Sequence, residues 1–223
     1  MPQEVTYVVG LDLGQAQDYT ALAVLERSRW VDEPLVSYGA MGRVETIPAS
    51  PTALVPPASE RRYAARHLER FPLGTGYPEI VDRVVALFAR APLTGSTLAV
   101  DQTGVGRAVV DLLCKARPRC TLRPIMITAG NAVVPDGAGW HVPKKELVGN
   151  LQVLLQSRRL QVAKGLPDAA VLIQELEAFR VKITANAHEI FEAWRERDKD
   201  DLVLAMAMAA WVGERGMQEL WVR

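Results

Sequence analysis

The chain is poor in the residues that most often announce a small functional site. It has only two cysteines, Cys114 and Cys120, in the segment CKARPRC, whose spacing matches neither a redox CxxC pair nor a zinc knuckle. A disulfide framework is therefore not expected, and both read as reduced thiols of a cytosolic protein. His141 and His188 stand alone and read as surface or packing residues, so no His and Cys cluster calls for zinc. Charge of one sign is also lacking: 26 Lys and Arg balance 26 Asp and Glu. The whole-chain charge gives no push toward nucleic acid, membrane or acidic substrates, and any polyanion binding has to come from local patches. No run approaches the roughly 18 apolar residues of a membrane span. The amino terminus also lacks the basic-then-apolar pattern of a secretory signal. A soluble, intracellular protein without a membrane partner is expected. There is no GxxxxGK[ST] phosphate loop.

What is present is an ordinary globular composition, 49% apolar and 23% charged over 223 residues, enough for one substantial core. One domain spanning residues 1–223 is expected. Its organising stretch is VVGLDLG, residues 8–14, in which Asp12 interrupts a short, β-branched, apolar strand. Burying that carboxylate costs several kcal/mol unless a cation or donors meet it. Alternatively Asp12 lies at the strand end and braces the turn through Gly14.

Residues 20–25 (TALAVL) read as a second strand antiparallel to the first. Residues 34–46 give a third strand candidate. The Pro- and Ala-rich residues 47–60 read as a surface loop. Residues 61–71 fit either a strand or a helix face, and the abrupt end at Pro72, Gly74 and Gly76 favours the strand. Pro78 opens an amphipathic helix. Residues 97–100 form a buried strand ending in Asp101, followed by a glycine turn and a helix to about Lys115, the pattern of a βαβ crossover. A strand over 122–128, a Gly-rich loop carrying Trp140, a helix over 144–156, a brief strand at 160–162 and a helix over 167–179 follow. A hairpin is expected within 183–193, with Asn186 in its turn. Asp200 and Asp201 begin a last helix, LVLAMAMAAWV, apolar almost all round and therefore buried. Trp140, Trp194 and Trp211 read as core or interface aromatics.

Three acids, Asp12, Asp101 and Asp201, thus stand at strand ends or at the start of a buried helix. Carboxylates converging from different elements are what two-metal phosphodiester hydrolysis needs, and hard oxygen ligands favour Mg²⁺ or Mn²⁺. The plainer reading is that Asp101, Asp200 and Asp201 cap the helices that follow them. Arg61, Arg62, Arg66 and Arg70 form either a DNA-backbone edge or a solvated strand face.

In order, GLDLGQAQDYTALAV, LAVDQTGVGRAVVDLL, WHVPKKELVGNLQ and DKDDLVLAMAMAAW resemble the nuclease domain of the large terminase subunit of tailed bacteriophages. The resemblance implies a ribonuclease H-like α/β fold: a mixed sheet with three antiparallel strands first and parallel strands after, flanked by helices, with an additional β-hairpin. It implies metal-dependent endonucleolytic cutting of concatemeric DNA during genome packaging, in the host cytoplasm. Asp12, Asp101 and Asp201 would hold two Mg²⁺ or Mn²⁺ ions, and Asp18 and Asp200 match accessory acids that orient a metal or its water. Either member of the Asp200–Asp201 pair can be the direct ligand, Asp201 lying closer to the helix body. Lys144 or Lys145 would approach the scissile phosphate or stay a solvated lysine at a helix start. Arg66 and Arg70 are candidate DNA contacts. The implied partners are double-stranded DNA, a packaging ATPase domain or subunit, the portal and the small terminase, since no ATPase motif occurs here. The balanced charge predicts weak, salt-sensitive DNA binding. Rival readings are a Holliday-junction resolvase of the same fold, a sugar-kinase-like phosphate hairpin, and a docking domain without catalysis.

Overall fold

The apolar, β-branched run around Val8 and Val9 forms β1 (Glu4–Asp12), and the chain returns antiparallel as β2 (Ala21–Trp30). The computed structural model describes residues 4–14, 18–30, 36–38, 44–46, 60–178, 182–183, 189–190 and 200–215. Two short strands, β3 (Val36–Tyr38) and β4 (Val44–Thr46), pair with each other and, among the described residues, with no other strand. The partner of β2 is instead the long β5 (Glu60–Arg70), antiparallel to it from Ala21–Arg70 to Trp30–Glu60. This corrects the reading of residues 34–46 as one strand. The 11-residue β5 matches the 10 residues of β2, which two strands of three residues cannot do. Residues 47–59 of the Pro- and Ala-rich segment lie outside the described residues, as do Asn186, His188 and Trp194.

Helix α1 (Tyr77–Phe88) has the expected Pro78 in its first turn and leads to β6 (Thr97–Asp101). Helix α2 (Gly106–Ala116) crosses to β7 (Thr121–Thr128), and β6 lies parallel to both β1 and β7. The stretch read as a Gly-rich loop contains a hairpin, β8 (Val134–Asp136) and β9 (Gly139–Pro143), with β9 parallel to β7. Its glycines are not loop filler. Gly137 turns the hairpin with φ of 56°, and a Cβ on Gly139 would meet the Pro124 carbonyl oxygen at 2.1 Å, so only glycine lets β9 close on β7. Then come α3 (Lys144–Gln156), β10 (Leu160–Val162), α4 (Ala169–Ala178), the short pair β11 (Lys182–Ile183) and β12 (Glu189–Ile190), and α5 (Asp201–Arg215).

The eight-stranded sheet runs β10-β5-β2-β1-β6-β7-β9-β8, mixed in direction. Strand alternation sorts its side chains onto two cores. Val9, Leu11, Leu98 and Val100 face α1 and α2, whereas Val8 and Ala99 face α3, α4 and α5. Helix α5 is buried from Asp201 to Gly213, so its all-round apolar sequence has an apolar neighbour on every side. Trp140 and Trp211 pack edge to face there, with centroids 5.9 Å apart. Both cysteines are free. No helix among the described residues is long and apolar enough to cross a membrane.

Candidate active site

Strand register decides where the first two acids go. Leu11 is aligned with Val100 across the parallel β1–β6 pair, so Asp12 and Asp101 stand one step further on, side by side at the strands' carboxyl ends. Neighbouring strands run about 4.8 Å apart. Parity puts Asp12 on the face of Val8 and Asp101 on that of Ala99, which is the face that α5 covers.

A glycine brings α5 to them. A Cβ on Gly10 would lie 1.8 Å from the Ala205 carbonyl oxygen, so β1 and α5 touch backbone to backbone. Asp201 lies four residues before Ala205, about one helical turn, and Asp12 lies two residues beyond Gly10. The three carboxylates are buried, at 6% exposure for Asp12, 8% for Asp101 and 6% for Asp201.

Their electrostatics reflect this crowding. Burial first, and then the charges of Asp101, Asp201 and Asp200, push the Asp12 carboxyl well above its ordinary range, with Lys144 opposing. Among the described residues no donor hydrogen-bonds the Asp12 carboxylate. Asp101 is also raised, mainly by burial, against two hydrogen bonds that favour its charged form. Those bonds come from the Thr103 amide (2.8 Å) and hydroxyl (2.6 Å), both to Oδ1. The Thr103 hydroxyl in turn accepts the Ile127 amide of β7 at 2.9 Å, so Asp101 is pinned through its own turn to the next strand.

Side-chain capping by these acids is not what the structure displays, although Asp201 does stand in the first turn of α5, at the helix's positive end. Helix α2 begins after Val105 with no side-chain cap, leaving Asp101 to its Asx-type turn. The first amides of α5, from Leu202 and Val203, are taken by Glu175 of α4 at 2.9 and 3.1 Å. Lys144, at the start of α3, donates to Asp200 Oδ2 at 2.6 Å and is 25% exposed. It is therefore a member of the acid cluster and not a solvated lysine. Lys145 points elsewhere, to the Asn131 side chain at 2.5 Å.

Of the other anticipated residues, Asp18 is exposed in the turn beyond Gly14. Arg66 is exposed and paired in a two-pronged contact with Glu26 at 2.9 and 2.8 Å. Arg70 is drawn into the site: its guanidinium lies 3.6 Å from Asp201 Oδ2, 3.9 Å from Glu175 Oε1, and 3.8 Å over the Tyr19 ring. Glu175 is the residue the sequence reading passed over. Burial pushes its carboxyl up to about 7, against the two amide contacts and Arg70. A signal was there: it falls three residues after the buried Leu172, so an acid stands on the apolar stripe of α4.

No protein-family model and no curated protein matches the chain. Among solved structures it is similar to the large terminase nuclease from thermophilic phage G20c, with 22% sequence identity and a TM-score of 0.56 over 92% of this chain and 81% of that one. The chain has the fold of that nuclease. It is a ribonuclease H-like α/β fold, as the resemblance in sequence implied. A likeness to the nuclease domain of the large terminase g2p of bacteriophage SPP1, with bound Mn, spans 92% of this chain and 84% of that one, at 12% identity and a TM-score of 0.49.

Within this fold the donor set is all oxygen, which suits a hard divalent cation. A buried carboxylate with no donor, among three like charges, fits such an ion. The spacing is not preset, since among the described residues no three His, Cys, Asp or Glu side chains form a group that could hold a metal ion as they stand. The acids converge in charge without being drawn to ligating distance.

Proposed function

We propose that the chain is a metal-dependent DNA endonuclease that cleaves concatemeric viral DNA during packaging, acting as one nuclease unit over residues 1–223. Asp12, Asp101 and Asp201 would hold Mg²⁺ or Mn²⁺, two ions in all, with Asp200 as a further ligand and Asp18 as an accessory acid. The observation that carries this reading is Asp12: buried, with no hydrogen-bond donor among the described residues, its carboxyl raised first by burial and then by three neighbouring acids. The similarity to the G20c terminase nuclease supports the reaction class.

A divalent cation in such a site supplies Lewis-acid charge to a phosphodiester oxygen and to the attacking water. The protein supplies the rest. Thr103 occupies one Asp101 oxygen, Oδ1, with both its amide and its hydroxyl and so fixes the carboxylate at the end of β6. Lys144 offsets Asp200 and Asp12, and it is the cation best placed to meet a DNA phosphate when the acids engage metal. Arg66, paired with the Glu26 carboxylate, adds little net positive charge for DNA, whereas Lys145, bonded to the neutral Asn131 amide, keeps its charge. Double-stranded DNA would be held largely by the assembly: a packaging ATPase domain or subunit, the portal and the small terminase.

The test is supercoiled plasmid with Mn²⁺, against Asp12→Ala and Asp101→Asn. Nicking by the wild type that both substitutions abolish supports the reading, while undiminished nicking in Asp101→Asn removes Asp101 from the site. Among the described residues the acids form no preassembled ligand group, an arrangement also compatible with a second reading, a docking domain without catalysis. Wild-type protein that neither nicks DNA nor binds Mn²⁺ would overturn the nuclease reading.

A further inference from the structure

Glu175 does something a helix rarely asks of a buried acid. Its Oε2 accepts the Leu202 and Val203 amides, so α4 caps the first turn of α5 immediately after Asp201. Helix starts leave such amides without intrahelical partners, and a local Ser, Thr, Asn or Asp ordinarily serves them. A distant, 5%-exposed glutamate beside another acid is a costly substitute. Its Oε1 makes no hydrogen bond, and neither do the buried Nε and Nη2 atoms of the half-buried Arg70, although the groups stand at ion-pair distance. Arg70 itself is held by the Tyr19 ring, and its backbone amide donates to Asp168 Oδ2 at 3.1 Å.

The other end of α5 is anchored in a different manner. Arg27 and Arg61 donate to the Gly213 and Glu214 carbonyls, and Arg159 holds the Glu214 carboxylate at 2.7 and 2.9 Å. Those cations complement the negative end of the helix and are remote in sequence from the acids. Holding the helix and aiming Asp201 are thus separate tasks, done at opposite ends.

We infer that Glu175 is a positioning residue for Asp201, fixing the first turn of α5 through two amides while Arg70 spans the two carboxylates. The inference rests on the nuclease reading above, because a metal is what Asp201 is aimed at. Residues that orient metal-binding side chains typically change affinity or activity by 10–100-fold.

The experiment compares wild type, Glu175→Ala, Glu175→Asp, Glu175→Gln and Arg159→Ala, all kept well below their melting temperatures. Mn²⁺ binding is read from the electron paramagnetic resonance of the free ion, and plasmid nicking is read across a Mn²⁺ series. Glu175→Ala should raise the half-saturating Mn²⁺ concentration about tenfold or more. Glu175→Gln, which keeps an oxygen for both amides, should restore most of it, and Arg159→Ala should lose stability with the Mn²⁺ response unchanged. Should Glu175→Ala not fold, Glu175→Asp, whose carboxylate is drawn back from α5 by one methylene, must still show a weakened Mn²⁺ response. Wild-type Mn²⁺ response in the folded Glu175→Ala or Glu175→Asp protein overturns the inference. So does an equal shift in Arg159→Ala, which would mean that helix stability alone is being measured. Absence of Mn²⁺ binding in the wild type takes down the nuclease reading and this inference together.

Discussion

Raising the pH of the cation-free protein should weaken it over a range in which most folded proteins gain or hold stability. Glu175 has its carboxyl raised from the ordinary 4.5 to about 7, chiefly by burial. A raised carboxyl keeps a proton in the folded state that the unfolded chain has released. Its contribution is therefore complete below 4.5 and is lost as pH rises through about 7. At about 1.4 kcal/mol per pH decade the gap amounts to roughly 3 kcal/mol. Asp12 and Asp101 are shifted in the same direction and add to the slope. Glu26 and Glu69 are lowered instead, so what they contribute is lost as pH falls below 4.5, outside this window. The assay is urea unfolding in chelator from pH 4.5 to 8, with Glu175→Gln as the reference. Glutamine is a neutral near-isostere and cannot ionise. Relative to wild type it should gain about 3 kcal/mol between the two ends of the series. A difference that stays flat with pH, or runs the other way, would refute the claim that Glu175 is buried beside Asp201 without adequate compensation.

Mn²⁺ added at pH 8 should raise the melting temperature of the wild type and leave Asp12→Ala unmoved in a thermal scan, since only a binder of the folded state stabilises it. Gly10→Ala should cost at least about 1–3 kcal/mol in denaturant titration, because its methyl would collide with the Ala205 carbonyl, and surviving protein should nick plasmid more slowly. Thr103→Val deletes the hydroxyl bond between Asp101 and β7. A stability loss of about 1 kcal/mol is expected, with a larger proportional loss in nicking rate. Lys144→Ala removes the cation that opposes the raised Asp12 carboxyl. The Mn²⁺-dependent gain in melting temperature should then exceed that of the wild type, and an equal or smaller gain counts against Lys144 as the cluster's counter-ion.

Local chemistry and periodicity left Asp12 either within its strand or at its end, and the structure puts it at the end of β1. They were enough to place Asp101 at a strand's end and Asp201 at the head of a buried helix, because burial imposes apolar patterns along the chain. Helix α3 and strand β10 fall on the anticipated residues for the same reason. The β8–β9 hairpin did not, since Gly137 and Gly139 carry the same signal whether they loosen a loop or let two backbones meet. What only the tertiary structure decided is which side chains meet. Register puts Asp12 beside Asp101, a glycine brings α5 against β1, and Glu175, 26 residues before Asp201, takes the amides that a local cap would have taken. Such partnerships join residues distant along the chain through space, so no pattern of neighbours in sequence encodes them, and the charges of the pocket follow from that geometry.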